Sequence, residues 1–507
     1  MKTFLKDDFL RLYDIVPPVT PGAEKLYCAG SDFDSDGKII FQPEDFADFG
    51  TYFNSFSLKK WSACTFITDL KIFLELAGKF HVEIYCFSQA GEEIFFAGET
   101  DGNFSHEINF ADLSGLAKKF DLLGVKVIAK SPGAKFLSGT YSGKFSALRD
   151  VKIGITICTF KREKYLQSNL DKFEKLIERN PNFSVMVIDN GQTLEEKNSG
   201  AIQIMHNKNF GGSGGFTRGL IEQVNRNKNT HVILSDDDTV TELSSFDRLY
   251  SFLRGLKPDY HENFFGGAML RLDKKTEQFE NTAYWKKIRL CAFGRGFDLT
   301  DKKILCKNEY PTKDINAYAA WWFCCMPLDE VRKNGYPIPV FIKGDDMEYG
   351  IRHGKDFLTM NGVGVWHETF ANKDSFTTKF LNDRNMLIIQ HLTKGYGKFE
   401  FVFTLIGRIG RRILKLDFDA LRRFEFVLRD LENDFEGITE IPADEKFAQI
   451  KSYSSDKNIF AAIFSVTRLA FNHISNYDEH DRRLKNFIEE KLSDQKFWLE
   501  YLGISGK

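Results

Sequence analysis

A chain of 507 residues is longer than one ordinary hydrophobic core covers, so two or three domains are expected. Hydrophobic residues make up 42% and charged residues 28%, which excludes a disordered or fibrous protein, and 50 phenylalanines demand a large apolar interior. The formal net charge of −2 supplies no global positive field, so a nucleic-acid partner is excluded as well.

The eight cysteines are scattered without CxxC spacing, which speaks against a zinc site or a disulfide framework and for a reducing compartment. The opening residues Met1 to Asp8 carry acidic side chains where a signal peptide needs an apolar run. No apolar stretch approaches the ~20 residues that span a bilayer. The expectation is a cytoplasmic protein, with a membrane surface within reach.

In chain order, residues 1–150 read as an N-terminal β-sandwich. Strands are expected over Ser62–Leu76, His81–Ser88, Glu93–Glu99, Phe104–Phe110 and Gly124–Ala129, with turns at Ala90-Gly91, Asp101-Gly102 and Pro132-Gly133. Many strands and no long helix suggest an antiparallel sandwich of roughly ten strands. No catalytic residue types cluster here, so the region is either a packing unit or a carbohydrate-binding module.

The pattern changes at Val151. Lys152–Thr159 is a β-branched run, and the charged amphipathic stretch Lys161–Asn180 looks helical. Strands follow at Val185–Ile188, ending in Asp189-Asn190-Gly191, at Ile202–Met205, and at His231–Leu234. A glycine-rich loop and a helix from Phe216 to Arg226 lie between the last two. Alternating helices and continuously apolar strands predict an α/β, Rossmann-like, doubly wound parallel sheet over residues 151–390, covered on both faces. Ligands of such sheets bind at the carboxyl ends of the strands, where the motifs sit. After about Asn385 the chain turns helical, giving a C-terminal helical region over 391–507. Its stretch Phe399–Leu416 sets Arg408, Arg411, Arg412 and Lys415 among apolar residues, and Arg422 and Arg423 extend it. Such a helix lies on an anionic membrane surface or packs on the catalytic domain or on another subunit. Asn458–Asn476 and Asp481–Leu492 read as bundle helices.

Four constellations carry chemistry. The strand ending in Asp236-Asp237-Asp238 delivers three carboxylates to the sheet edge, and crowding them costs Coulomb energy unless a cation is present. Alternation puts Asp236 and Asp238 on one side, where both can reach one Mn²⁺ or Mg²⁺, while Asp237 is directed to a ribose or another substrate hydroxyl. Asn209-Phe210-Gly211-Gly212-Ser213-Gly214-Gly215 lets backbone amides approach an anion, although it matches neither the phosphate-binding P-loop nor the dinucleotide fingerprint. Phe341 to Arg352 reads as a strand end running into a helix, and one of Asp345 and Asp346 could act as general base. The strand Val363–Trp366 ends in His367, which can complete a metal shell with the two aspartates. The adjacent Trp321 and Trp322 cannot face one core together from a strand, so one is a candidate platform for a sugar ring.

Taken in order, Thr159-Phe160-Lys161-Arg162, Val187-Ile188-Asp189-Asn190-Gly191, Asn209 to Phe216, Asp236-Asp237-Asp238, Trp321-Trp322, Asp345-Asp346 and Trp366-His367 resemble the inverting family 2 glycosyltransferases of GT-A fold. Within that family they are most similar to the galactofuranosyltransferases that polymerise galactan from UDP-galactofuranose. The likeness spans roughly Val151 to Asn385 and extends more loosely to Gly50–Phe56 and Trp61. The resemblance implies that Asp236, Asp238 and His367 hold Mn²⁺ or Mg²⁺. It further implies that Arg162, Asp189, Asn209, Gly211 and Gly212 face a UDP-sugar donor, that Asp346 is the general base, and that Asp345, Trp321 and Trp322 meet the acceptor. Lys161 departs from the family's frequent Asn. The implied acceptor is a glycan or lipid-linked glycan at the inner face of the cell membrane, and a homo-oligomer is compatible with it. Rival readings are a family 2 enzyme using dTDP-rhamnose or UDP-GlcNAc, and a non-catalytic carbohydrate-binding protein.

Overall fold

The computed structural model describes residues 9–353, 356–369, 375–432, 448–449 and 459–504. The opening Met1 to Asp8 and the start of the predicted Asn458 helix lie outside the described residues.

Before residue 146 the chain forms two five-stranded antiparallel sheets. The long strands Ile67–Ala77 and Ala134–Phe145 centre one sheet, and Lys79–Ser88 and Leu122–Ala129 centre the other. Alternation sends Leu70, Ile72 and Leu74 from the first and Val82, Ile84, Val125 and Val127 from the second into one shared core. The rings of Phe41 and Phe80 meet edge-on across the sheets, 5.4 Å apart. Burial of each such side chain stabilises by ~1.5–3 kcal/mol before entropy is counted.

Two expectations for this region need correction. Ser62–Leu76 is not one strand, because Leu58–Cys64 is a helix that buries Leu58, Trp61 and Cys64 on one face before the strand starts at Ile67. The strand from Phe104 ends at Ile108. Asn109 then accepts a hydrogen bond from the Asp112 amide and caps a helix, Phe110–Lys119.

The next sheet has seven strands, in the order Ile202–His206, Phe183–Asp189, Ile153–Thr159, His231–Asp236, Cys324–Pro327, Phe264–Gly266, Phe357–Leu358. The first four run parallel, in a register that sets Thr159 opposite Asp189 and Cys158 opposite Asp236. Cys324–Pro327 is antiparallel to both of its neighbours, so the sheet is mixed rather than wholly parallel. A fully buried strand is a continuous apolar run whichever way it points, and the apolar pattern therefore carried no sign of the reversal.

A second sheet beside it pairs Val240–Thr241 with Gly364–His367, and that strand with Ala268–Arg271, then Glu277–Glu280 and Phe297–Asp298. The pairing of Val240 with Trp366 draws the end of this strand toward the aspartates. The Gly50–Phe56 segment forms the seam with the β-sandwich. Arg248, fully buried on the helix Leu243–Gly255, donates to the carbonyls of Phe53 and Ser55 and lies over the Tyr13 ring at 3.6 Å. A buried guanidinium needs such partners. Phe53 in turn packs 5.4 Å from Trp366, next to His367.

The C-terminal helices start earlier than expected, at Phe376, because Ser375 and Thr378 form a capping box. Phe376–Leu392 is followed by Lys398–Leu414, Phe418–Glu432, Ile459–Ser475, Tyr477–Lys491 and Lys496–Tyr501. The basic helix turns part of its charge inward: its Arg408 and Arg412, joined by Arg423 of Phe418–Glu432, converge on Asp383 at 3.4, 2.8 and 3.5 Å. Its outer face leaves Phe399, Phe403, Ile406 and Leu414 exposed, and Ile459–Ser475 exposes Phe460, Phe464 and Phe471. Among the described residues no helix is long and apolar enough to cross a membrane.

Candidate active site

At the carboxyl ends of the parallel strands the carboxylates separate by direction. Asp237 is buried and accepts from the Thr159 hydroxyl at 2.7 Å and from Arg162 Nη1 at 3.2 Å. Arg162 also reaches Asp238 Oδ2 at 2.5 Å, so one guanidinium ties the two neighbours together. Asn169, on the helix Glu163–Arg179, donates to the backbone carbonyls of Asp237 and Thr239 and fixes the turn.

His367 Nε2 lies 2.8 Å from Asp238 Oδ1, and its Nδ1 lies 2.5 Å from the Glu368 carbonyl. Ligand atoms of Asp236, Asp238 and His367 fall within 4.8 Å of one another. Two carboxylates and an imidazole oriented by a backbone carbonyl form a donor set that suits a divalent cation such as Mn²⁺. Electrostatics agree with that fit. Burial pushes the Asp236 carboxyl up to about 6, with the neighbouring acids adding to the shift. Burial alone would lower the His367 imidazole, yet its hydrogen bond to Asp238 and the charge of Asp236 leave it raised. A cation there would relieve both.

Beside this cluster opens a cleft of about 390 Å³. Of the residues singled out from sequence, Gly212, Asp236, Trp321, Trp322, Asp345 and Asp346 line it. Asp345 and Asp346 open the helix Asp345–His353, in a wall of Trp and Tyr side chains. Burial drives the Asp346 carboxyl up to about 7, partly opposed by the Met347 amide that it accepts at 2.8 Å. Burial and the adjacent Asp346 push Asp345 well above the carboxylate range.

The two tryptophans occupy a turn ahead of the strand Cys324–Pro327, not a strand. Trp322 donates from Nε1 to the Gly267 carbonyl at 3.0 Å, while Trp321 packs edge-on against Phe216 and Tyr349. They join different apolar clusters yet share the cleft wall.

The remaining predicted residues sit elsewhere at the sheet edge. Asp189 is fully buried, and its carboxylate accepts from the amides of Gly191, Thr193 and Leu194 at 2.9, 2.7 and 2.8 Å, so it shapes its own turn. Asn209 accepts from the Gly211 amide at 3.1 Å. The glycine-rich segment is not a loop before a helix at Phe216, because the helix begins at Gly211. Close packing explains the glycines: a Cβ on Gly215 would lie 2.1 Å from Cys158 Sγ, and one on Gly219 2.2 Å from Thr156 Cγ2. Gly212 instead turns toward the cleft, with Asp345 Oδ2 3.5 Å from where its Cβ would be.

Sequence reasoning missed Glu280, Arg295 and Tyr318 in the cleft wall. Glu280 is buried and pushed up to about 7 by that burial, with Arg295 3.5 Å away opposing the shift. It comes from a short strand whose place depends on sheet pairing, and no local pattern marks it. Asn190 was noted only as part of its turn, although it bridges the Asn207 side chain to the Gly211 carbonyl.

A galactofuranosyltransferase, GlfT2 of Mycolicibacterium smegmatis, is 25% identical over 388 residues, covering 69% of this chain and 58% of that protein. The chain is similar to galactofuranosyltransferases. GlfT2 of Mycobacterium tuberculosis is 24% identical over 382 residues, covering 68% of this chain and 58% of that protein. The chain thus spans under two thirds of the length of these curated relatives, and the likeness read from its motifs is borne out. No family model matches. Among solved structures, a mannosyltransferase of Pyrobaculum calidifontis with GDP-Man and Mn²⁺ aligns over 64% of this chain and 88% of its own, at 11% identity and a TM-score of 0.32. S. aureus TarS residues 1–349 with UDP-GlcNAc aligns over 65% and 92%, at 10% identity and a TM-score of 0.37.

Proposed function

We propose that this chain is a metal-dependent, inverting galactofuranosyltransferase of GT-A type that transfers galactofuranose from UDP-galactofuranose to a hydroxyl of a growing cell-surface glycan. The observation that carries this reading is the convergence of Asp236, from the Asp236–Asp238–His367 cluster, with Asp345 and Asp346 in one cleft walled by Trp321 and Trp322.

In this reading the acceptor hydroxyl oxygen attacks the anomeric carbon while its proton passes to Asp346. The bond from that carbon to the diphosphate oxygen breaks, and the electron pair leaves with UDP. Asp346 suits the base role because burial brings its carboxyl to about 7, near the pH at which it must accept a proton. Asp236, Asp238 and His367 would hold Mn²⁺ or Mg²⁺, which when bound offsets the charge growing on the departing diphosphate. Arg162, Asp237, Asn209 and the Gly211–Gly212 helix start form the donor side, and Asp189 acts through the turn it shapes. Trp321, Trp322 and Asp345 receive the acceptor.

The matching division of the chain gives catalysis to residues 151–390 and support to the β-sandwich 1–150. The helical region 391–507 then lies against the inner face of the cell membrane, a role supported by the exposed phenylalanines of its two helices. A panel of UDP-galactofuranose, UDP-GlcNAc and dTDP-rhamnose with Mn²⁺, scored by nucleotide release from the full chain, tests the proposal. Turnover should be fastest with UDP-galactofuranose and abolished by chelation. Preference for another sugar overturns the donor, and metal-independent glycan binding without turnover by any donor favours the carbohydrate-binding reading.

A further inference from the structure

The residues leading into Asp345-Asp346 adopt a backbone that side chains with a Cβ disfavour. Phe341 has φ +74°, Lys343 φ +63° and Gly344 φ +104°. Such a run persists only when its surroundings fix it, and here it is gripped from two sides. On one side the Ser213 amide donates to the Phe341 carbonyl at 3.1 Å and the Ser213 hydroxyl to the Ile338 carbonyl at 2.5 Å. That places the start of the glycine-rich helix against the loop, so tightly that a Cβ on Gly211 would lie 2.1 Å from the Phe341 carbonyl oxygen.

On the other side the helix Phe376–Leu392 does the holding. Asn385, fully buried on the helix Phe376–Leu392, donates from Nδ2 to the carbonyls of Val340, Ile342 and Lys343 at 3.2, 2.8 and 2.8 Å. Its Oδ1 accepts from Arg384 Nε at 3.0 Å, which fixes the amide's orientation, and Arg384 Nη2 adds a bond to the Val340 carbonyl at 3.1 Å. These three carbonyls flank both left-handed, Cβ-bearing residues. Directly after them the Gly344 carbonyl accepts from the Glu348 amide at 2.8 Å and starts the helix that carries Asp345 and Asp346. Asn385 does not line the cleft, whereas Asn382, one turn earlier on its helix, does.

We propose that Asn385 is a positioning residue for the transfer: it holds the loop Val340–Lys343, with its left-handed Phe341 and Lys343, in the shape that sets Asp345 and Asp346 at the acceptor side of the cleft. This inference rests on the glycosyltransferase reading. Losing the amide leaves the metal cluster untouched, because none of its bonds reaches Asp236, Asp238 or His367, and the Gly211 helix start keeps its own hold on the loop through Ser213. The loss therefore falls on turnover and not on donor binding, a separation that a merely stabilising buried amide would not produce.

The test compares the full-length wild type with Asn385→Ala, measuring kcat for transfer, Kd for the UDP-sugar with Mn²⁺, and Tm. The expected result is a fall in kcat of at least tenfold with donor Kd within threefold of wild type. A kcat within threefold, or a kcat and a donor affinity that weaken together, overturns the proposal. Should Asn385→Ala fail to fold, Gly344→Ala decides by the same criteria, since alanine is strained at φ +104° and disturbs the same loop independently. Wild-type turnover with an unaffected variant overturns this inference alone. A wild type that releases nucleotide from no donor overturns the glycosyltransferase reading, and this inference with it.

Discussion

Two groups of acidic residues meet at the cleft, and they are built differently. Around Asp237 and Asp238 the protein supplies compensation: a hydroxyl from Thr159, a guanidinium from Arg162 and an imidazole from His367. Around Asp346 it supplies a backbone amide and burial, and the carboxyl rises to about 7. The first group sets burial, which pushes Asp237 up, against hydrogen-bonding and cationic partners that oppose it. The second leaves burial largely unopposed, so that a proton is easy to hold and to release. Adjacent aspartates are alike in sequence. What separates the two groups chemically is which partners the fold places beside them.

Breaking the proton side should have the largest effect. Asp346→Asn keeps the shape and removes the base, so transfer should fall by ~10²–10⁴-fold while donor binding in the presence of Mn²⁺ stays near wild type. A turnover within tenfold of wild type would take the base role away from Asp346. Breaking the cation side should look different. Asp238→Asn should weaken Mn²⁺ binding by at least ~10–100-fold, and raised Mn²⁺ should restore part of the activity. An unchanged metal requirement would remove Asp238 from the donor set.

The pH profile sharpens the contrast. If Asp346 accepts the proton, kcat should rise about tenfold per pH unit below about 7 and level off above it, since only the ionised carboxylate can act. Asp346→Glu, which retains a carboxylate on a longer arm, should keep a limb of the same sign. A kcat that is flat from pH 5 to 8 would assign the proton to another group.

Much of this arrangement was legible in the sequence, for reasons that can be named. The triple aspartate ends an apolar strand, so its place at the sheet edge followed from the pattern. Only Asp236 lies on the strand, however, and the turn that Asn169 fixes, not alternation, directs Asp237 and Asp238. His367 also ends a strand, so its approach to the aspartates followed from the sheet-edge argument. Where the sequence misled, tertiary packing had overridden local preference. Gly211 to Gly215 read as a loop because glycine disfavours helix, yet the helix runs through them so that it can press on Cys158 and Thr156. Glu280 and Asn385 carried no local signal at all. One depends on how a short strand pairs, and the other on three carbonyls some forty residues away in the chain.

The smallest expected effect is on stability, and it joins the two groups. Without a cation, burial raises Asp236 to about 6 and Asp346 to about 7, so the folded chain holds protons that the unfolded chain has released. Their contribution is therefore full below the ordinary carboxylate range, near pH 4, and is lost as pH rises through 6 to 7. His367, raised by Asp238 and Asp236 against its burial, has the same sign: what it contributes is present below about 6.5 and lost above its folded value. A cation held by Asp236, Asp238 and His367 takes the place of the protons on Asp236 and His367, so it competes with them at low pH and substitutes for them at high pH. Mn²⁺ at 100 times its Kd should stabilise by about 2.7 kcal/mol at pH 8, read as a rise in Tm of a few degrees, and by much less at pH 5. In Asp346→Asn the Mn²⁺-dependent rise at pH 8 should persist, and in Asp238→Asn it should shrink. Equal shifts in the two variants would mean that the two acidic groups act as one site, and the contrast between a cation side and a proton side would fall.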